Sequence, residues 1–194
     1  MKTCEYAGAA LSEPRSHPWL DTVANPDARY YDFRAEPALI RSSLEDFLPW
    51  SRYAAVDDFY RLLERLNHTS SALESNDCAF TGPEPNESPE LAKKLQCSGR
   101  VMVLFHALEQ NRSEPIEQLK NDLHQGLAEL DPRFEWGVIG TTIVPVSYRA
   151  LPAGDQLGCQ LMISFWAWGD TEAESMSNFA RVLKNLSRAL KQLS

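Results

Sequence analysis

Apolar residues recur along this chain with two periods, one helical and one β, and the alternation between them sets out the expected elements. From Ala38, Leu44, Phe47 and Leu48 give a short helical stripe ended or kinked at Pro49, and Val56, Phe59, Tyr60, Leu63 and Leu66 give a second one through about Asn67. Arg100 to Leu108 is a compact apolar run of strand length. Ser113 then caps a helix in which Ile116, Leu119, Leu123, Leu127 and Leu130 recur at intervals of 3, 4, 4 and 3, and which ends at Asp131-Pro132. Residues 135–151 and 157–168 are long β-rich runs, joined by a hairpin turn at Pro152-Ala153-Gly154-Asp155. The last helix opens at Thr171 with Glu174 three positions on, a capping box, and closes with Arg188 and Lys191 at its negative end.

The remaining stretches are less regular. Residues 1–37 hold four prolines and no sustained apolar period, so they read as an extended arm. Tyr30, Tyr31 and Phe33 on that arm either dock on the main body as a short strand or contact a partner. Residues 69–80 are polar enough that only a short strand at Asp77 to Phe80 is expected. Gly82 to Pro89 reads as a stiff acidic loop, with Ser88 and Pro89 opening a one- or two-turn helix to Leu95. The domain organisation is therefore an arm (1–37) and a single α+β domain (38–194), the latter made of a helical part (38–67) and a β-α-β-β-α core (100–194). The expected fold is an antiparallel sheet of three to five strands with helices packed on one face.

Alternation along residues 157–168 separates two faces. Leu157, Cys159, Leu161, Ile163, Phe165 and Ala167 form an apolar side that belongs under the two C-terminal helices. Gly158, Gln160, Met162, Ser164, Trp166 and Trp168 form the other, whose tryptophans are either covered by residues 30–66 or exposed as anchors for recognition. In the terminal helix Met176, Phe179, Leu183, Leu186, Leu190 and Leu193 follow a 3-4-3-4-3 spacing. Packing on the sheet explains it, and so does the seam of a structural or chaperone-like homodimer.

With 194 residues, 43% hydrophobic and 24% charged, the chain has ordinary globular composition. A domain of this size buries roughly 70% of the surface its unfolded chain exposes and needs no metal or disulfide to fold. The formal charge of −8 repels phosphates, so neither nucleic acid nor an anionic membrane is an expected partner. No run approaches the roughly 20 apolar residues of a membrane span, and Met1 to Tyr6 has no apolar signal core, which makes a cytoplasmic location the expectation. Cys4, Cys78, Cys97 and Cys159 then read as reduced thiols that mostly fill space, and the glycosylation-type triplets at Asn67, Asn86, Asn111 and Asn185 carry no weight.

Charge is the most directional signal. Residues 101–135 hold three cations (Arg112, Lys120, Arg133) against seven carboxylates, a net of −4, whereas residues 170–194 carry +1. A solvated helix face accounts for that excess, as does a landing surface for a basic partner. Signals for catalysis are sparse. Gly137-Val138-Ile139-Gly140 lies in a β run and does not form a phosphate-cradling loop. His17, His68, His106 and His124 lack metal-ligand spacing, there is no Cys-x-x-Cys pair, and no cofactor is implied. The best catalytic set is Cys78, His106 and Asp77 as nucleophile, base and neighbour, should their strands pair, with a packed histidine as the structural alternative. Asp57 and Asp58 are adjacent on a helix and diverge.

In size, acidity and β-α-β-β-α order, with Trp166-Ala167-Trp168-Gly169-Asp170 leading into the last helix, the region from Arg100 to Ser194 resembles the bacterial immunity proteins that neutralise polymorphic toxins. The resemblance implies stoichiometric binding of one cognate toxin without turnover, by occlusion of a basic and, for nuclease toxins, catalytic surface. The contacts it implies are Glu109, Glu114, Glu117, Asp122, Asp131 and Glu135 for charge, with Trp166 and Trp168 as apolar anchors.

Overall fold

The structure is a computed structural model, and it describes residues 1–5, 15–17, 30–44, 49–88, 92–148 and 156–193. Its centre is β6 (Gln156–Gly169), on which Leu161, Ile163, Phe165 and Ala167 alternate and are each fully buried. On either side of β6 lie β5 (Gly137–Tyr148) and β4 (Leu95–Phe105), both antiparallel to it, and β3 (Leu73–Pro85) pairs antiparallel with β4. On the far edge, β1 (Lys2–Glu5) pairs with Val138 to Thr141 of β5 and β2 (Arg15–His17) with Val146 to Tyr148. Both run parallel to β5. The sheet is thus mixed and six-stranded where a purely antiparallel sheet of three to five strands was expected. The two extra strands come from the proposed arm, where backbone pairing with an open edge, rather than an apolar period, defines the strand.

Three helices cover one face: α2 (Ala54–Leu66), α3 (Ser113–Glu129) and α4 (Glu172–Lys191), with the single turn α1 (Leu39–Ser42) against α2. The N-cap of α4 forms as expected, the Thr171 hydroxyl accepting from the Glu174 N–H, while the Glu174 carboxylate reaches past Thr171 to the N–H of Asp170 at 2.8 Å, so the reciprocal half of the capping box is displaced by one residue. Met176, Phe179, Leu183, Leu186 and Leu190 are at most 1% exposed, buried against the sheet and α2, so this face has no room for a second helix and the dimer-seam reading falls. The helices α1 and α2 of the N-terminal part lie beside α4 on one face of the sheet, and alternation along β6 puts Trp166 and Trp168 on the other.

Other local expectations are corrected. Ser113 lies inside the first turn of α3, behind Arg112, with its hydroxyl against the Cys159 thiol at 3.7 Å. The strand expected at Asp77 to Phe80 is the middle of β3, which extends through Pro85 and takes in most of the supposed loop. Of the short helix expected to Leu95, residues 92–94 are not helical and Leu95 opens β4; residues 89–91 lie outside the described residues, as do the hairpin turn at 152–155 and residues 45–48 with Phe47 and Leu48. Leu157, assigned to the core side of β6, is 77% exposed because the strand there has run past the helices.

Four phenylalanines tie the layers together. Phe59 of α2, Phe165 of β6, Phe179 of α4 and Phe80 of β3 form a chain with centroid separations of 5.8, 5.6 and 5.3 Å. Phe165 fits because Gly99 of β4 has no side chain: a Cβ there would stand 2.5 Å from the ring. Phe165→Ala is expected to cost about 3–5 kcal/mol and Gly99→Ala about 1–3 kcal/mol, measured as a lower urea midpoint at unchanged slope.

Candidate functional site

The acidic residues do not form one patch. On α3, Glu114, Glu117 and Glu129 are exposed and Asp122 is half-buried, whereas the helix's only cation, Lys120, is 9% exposed and turned inward. Its ammonium is held by Glu117 at 2.6 Å and by Glu5 of β1 at 3.0 Å, two carboxylates on one cation. Asp122 accepts from Gln118 one turn earlier on the same helix, at 2.6 Å. Glu109, on the turn before α3, and Glu135, before β5, are exposed at opposite ends of the helix. Asp131 is an internal strut. It is the one described non-glycine residue at positive φ (51°), where α3 gives way to the next loop, and its carboxylate is held by Arg181 and Asn185 of α4. The Arg181 guanidinium and the Asn185 amide together keep its carboxyl below the usual range.

The tryptophans stand apart from these charges. They lie on the sheet face opposite the helices, and Trp168 is 8% exposed with its indole N–H donating to Gln96 Oε1 at 3.0 Å. Its carbonyl accepts from Asn178 at 2.7 Å, which makes Trp168 part of the joint between β6 and α4. Trp166 is half-buried. No single flat partner surface can therefore contact the α3 carboxylates and both tryptophans.

The proposed Cys78, His106 and Asp77 set is also dispersed. Cys78 stands opposite Val101, five residues from His106, or about 16 Å along the strand. Asp77 stands opposite Met102 and points to the other face, where Arg100 reaches it at 3.3 Å. None of the four cysteines forms a disulfide, and Cys97 is fully buried, its thiol pushed up to about 12 by desolvation.

The most concentrated chemistry gathers around His106 with partners other than the expected Cys78 and Asp77. Glu74, at the start of β3, is 8% exposed and bridges two imidazoles: Oε1 accepts from His17 Nε2 at 2.9 Å and Oε2 from His106 Nδ1 at 2.8 Å. A β-bulge at Asn76 keeps Glu74 and Asp77 on one face and leaves the Asn76 side chain to join the cluster. Asn76 Nδ2 donates to Gln160 Oε1 at 3.1 Å, and its Oδ1 faces His17 Nδ1 at 2.7 Å. Tyr30 and Tyr148 stand edge-on to the His17 ring at 5.9 and 6.2 Å. Burial works against a charged Glu74, but the bonds from His17 and His106 prevail and hold its carboxyl below its ordinary value. Among the described residues no group of three or more His, Cys, Asp and Glu could hold a metal ion, and no helix is long and apolar enough to cross a membrane.

Polar residues at positions 74 and 76 argued against a strand, and residue 17 stands in a segment without an apolar period, so nothing local linked them. The usable signal was Gln160, a long amide in the middle of the most apolar strand, which needs a partner once buried. No family model matches this chain, and neither a curated protein nor a solved structure matches it.

The stability supplied by Glu74 follows from the sign of its shift. A lowered carboxyl contributes fully above its ordinary value of 4.5 and loses that contribution as pH falls through the lowered one. Glu74→Gln is expected to cost about 1.5–3 kcal/mol near neutrality, the scale of a hydrogen bond to a charged group. The gap between wild type and variant in urea titrations should close progressively below pH 4.5.

Proposed function

We propose that this chain is a binding protein without turnover, which engages a basic protein through the outward face of α3 in the manner of an immunity protein neutralising its toxin in the cytoplasm of the producing cell. The observation that carries this reading is the orientation of charge on that helix. Glu114, Glu117, Asp122 and Glu129 point away from the core, and the single cation of α3 is buried behind them. A solvated helix commonly mixes signs on its outer face, where pairs at three- and four-residue spacing add stability. Glu117 is paired with Lys120 and Arg112 stands at the N-terminal end of the helix, but Glu114, Asp122 and Glu129 have no cation of α3 beside them, so the outer face keeps a net negative field. Such a field raises the encounter rate with a positive surface and penalises partners of like charge.

Glu109 extends this surface at the N-terminal end of α3. Asp131 is spent on Arg181, Trp168 on Gln96 and Asn178, and Trp166 faces the other way, so none of the three belongs to it. The partner to use is a toxin domain encoded in an adjoining reading frame, and a frame of metabolic function there in its place would count against this reading. The two chains are expected to co-purify at one-to-one stoichiometry. Reversing Glu114→Lys and Asp122→Lys should slow association about tenfold or more at low salt, with the gap shrinking as ionic strength rises. Unchanged association and unchanged salt dependence in that variant would remove α3 as the contact surface.

A further inference from the structure

The His17 ring stands between two acceptors. Asn76 Nδ2 donates to Gln160 Oε1, and in this arrangement Asn76 Oδ1 lies toward His17 Nδ1 at 2.7 Å, while Glu74 Oε1 faces Nε2 at 2.9 Å. An imidazole that donates from both nitrogens is an imidazolium; the neutral ring has one donor and one acceptor. If the ring loses a proton, a lone pair faces either the amide oxygen or the carboxylate unless the Asn76 and Gln160 amides both turn over.

The position of this bond in the sheet gives it leverage. Among the described residues, β2 pairs with one edge of β5 over three residues, the short end of the usual range for a strand. His17, its last residue, bonds to Glu74 and Asn76 of β3, the strand at the opposite end of the sheet order β5-β6-β4-β3. The sheet must therefore curl at this end, and the imidazolium closes the curl by joining its two edge strands.

We propose that His17 is a proton-operated latch: its imidazolium pins β2 across the sheet to Glu74 and Asn76 of β3, and loss of the proton releases β2 from the edge of β5. Release uncovers the β5 edge at Val146 to Tyr148 and opens the end of the sheet where Gln160 and Tyr148 are buried. Among the described residues, Gln160 Nε2 and Tyr148 Oη have no hydrogen-bond partner. The groups facing the ring come from every neighbouring element. Glu74 and Asn76 belong to β3, Tyr148 to β5, Tyr30 and the carboxylate of Asp32 to the segment before α1, and His106, after β4, shares Glu74. Burial of the ring opposes its charge, but the bonds to Glu74 and Asn76 and the fields of Glu74 and Asp32 outweigh it, so the ring keeps its proton above the ordinary value of 6.5. The sign follows: a raised histidine stabilises fully below its ordinary value and loses that contribution as pH rises through the raised one. Glu74 adds the opposite limb, so the latch is firmest between about 4.5 and 6.5.

Hydrogen exchange followed by mass spectrometry on the full chain tests this directly, with rates corrected for intrinsic pH dependence. Between about pH 6 and pH 9, protection of fragments spanning residues 15–17 should fall about tenfold, the weight of one charge-assisted hydrogen bond. Fragments from residues 161–169 of β6, away from the opened end, should keep their protection over the same range. His17→Gln, which cannot ionise, should show low, pH-independent protection of β2. Constant protection of β2 in the wild type, an equal loss in that part of β6, or the same pH-dependent decline in His17→Gln would each overturn the latch. Should the variant fail to fold, the wild-type comparison of β2 with that part of β6 decides alone.

Discussion

Packing in this protein turns on the space that Gly99 leaves for Phe165. The ring of Phe165 lies over β4 at a distance no larger residue at position 99 would permit, and from there it meets Phe59 and Phe179. That placement lets α2 and α4 share one apolar floor, and their own contact follows from sitting side by side on it. The ends of the helices are then secured by polar joints: Thr171 with Glu174 at the start of α4, Arg181 with Asp131 between α4 and the end of α3, and Asn178 with the Trp168 carbonyl.

The consequence for function is a division of faces. The helix face is closed by its own packing and presents the outer surfaces of its helices, among them that of α3 with its carboxylates. The opposite sheet face is polar at its curled end, where His17, Glu74, His106, Asn76 and Gln160 form one connected network. Charge for a partner and chemistry for a proton thus sit on different sides of the same sheet. The two proposals are independent for that reason, and neither requires the other.

The elements carried by side-chain period were legible in the chain. α3 and α4 bury the residues their spacing selects, and the two faces of β6 separate as alternation requires from Leu161 to Ala167. Strands carried by backbone pairing were not. β1 and β2 have no apolar stripe because they complete an edge through main-chain bonds, and the first part of β3 was disguised by Glu74 and Asn76. The candidate surfaces divide similarly. The negative charge around α3 is a matter of composition, but whether a given carboxylate is free for a partner depends on what stands beside it, as Asp131 and Arg181 demonstrate.

The amino-acid sequence by itself determined the α+β class, the positions of the two longest helices and the apolar side of β6, because local periodicity and burial are linked through fixed residue spacing. Only the tertiary structure decided that the sheet is mixed, that Cys78 and His106 stand apart, that Trp168 is a joint, and that residues 17, 74, 76, 106 and 160 meet. Those outcomes depend on register and on the curl of the sheet. Both are set by all the strands together, so no local stretch of residues encodes them.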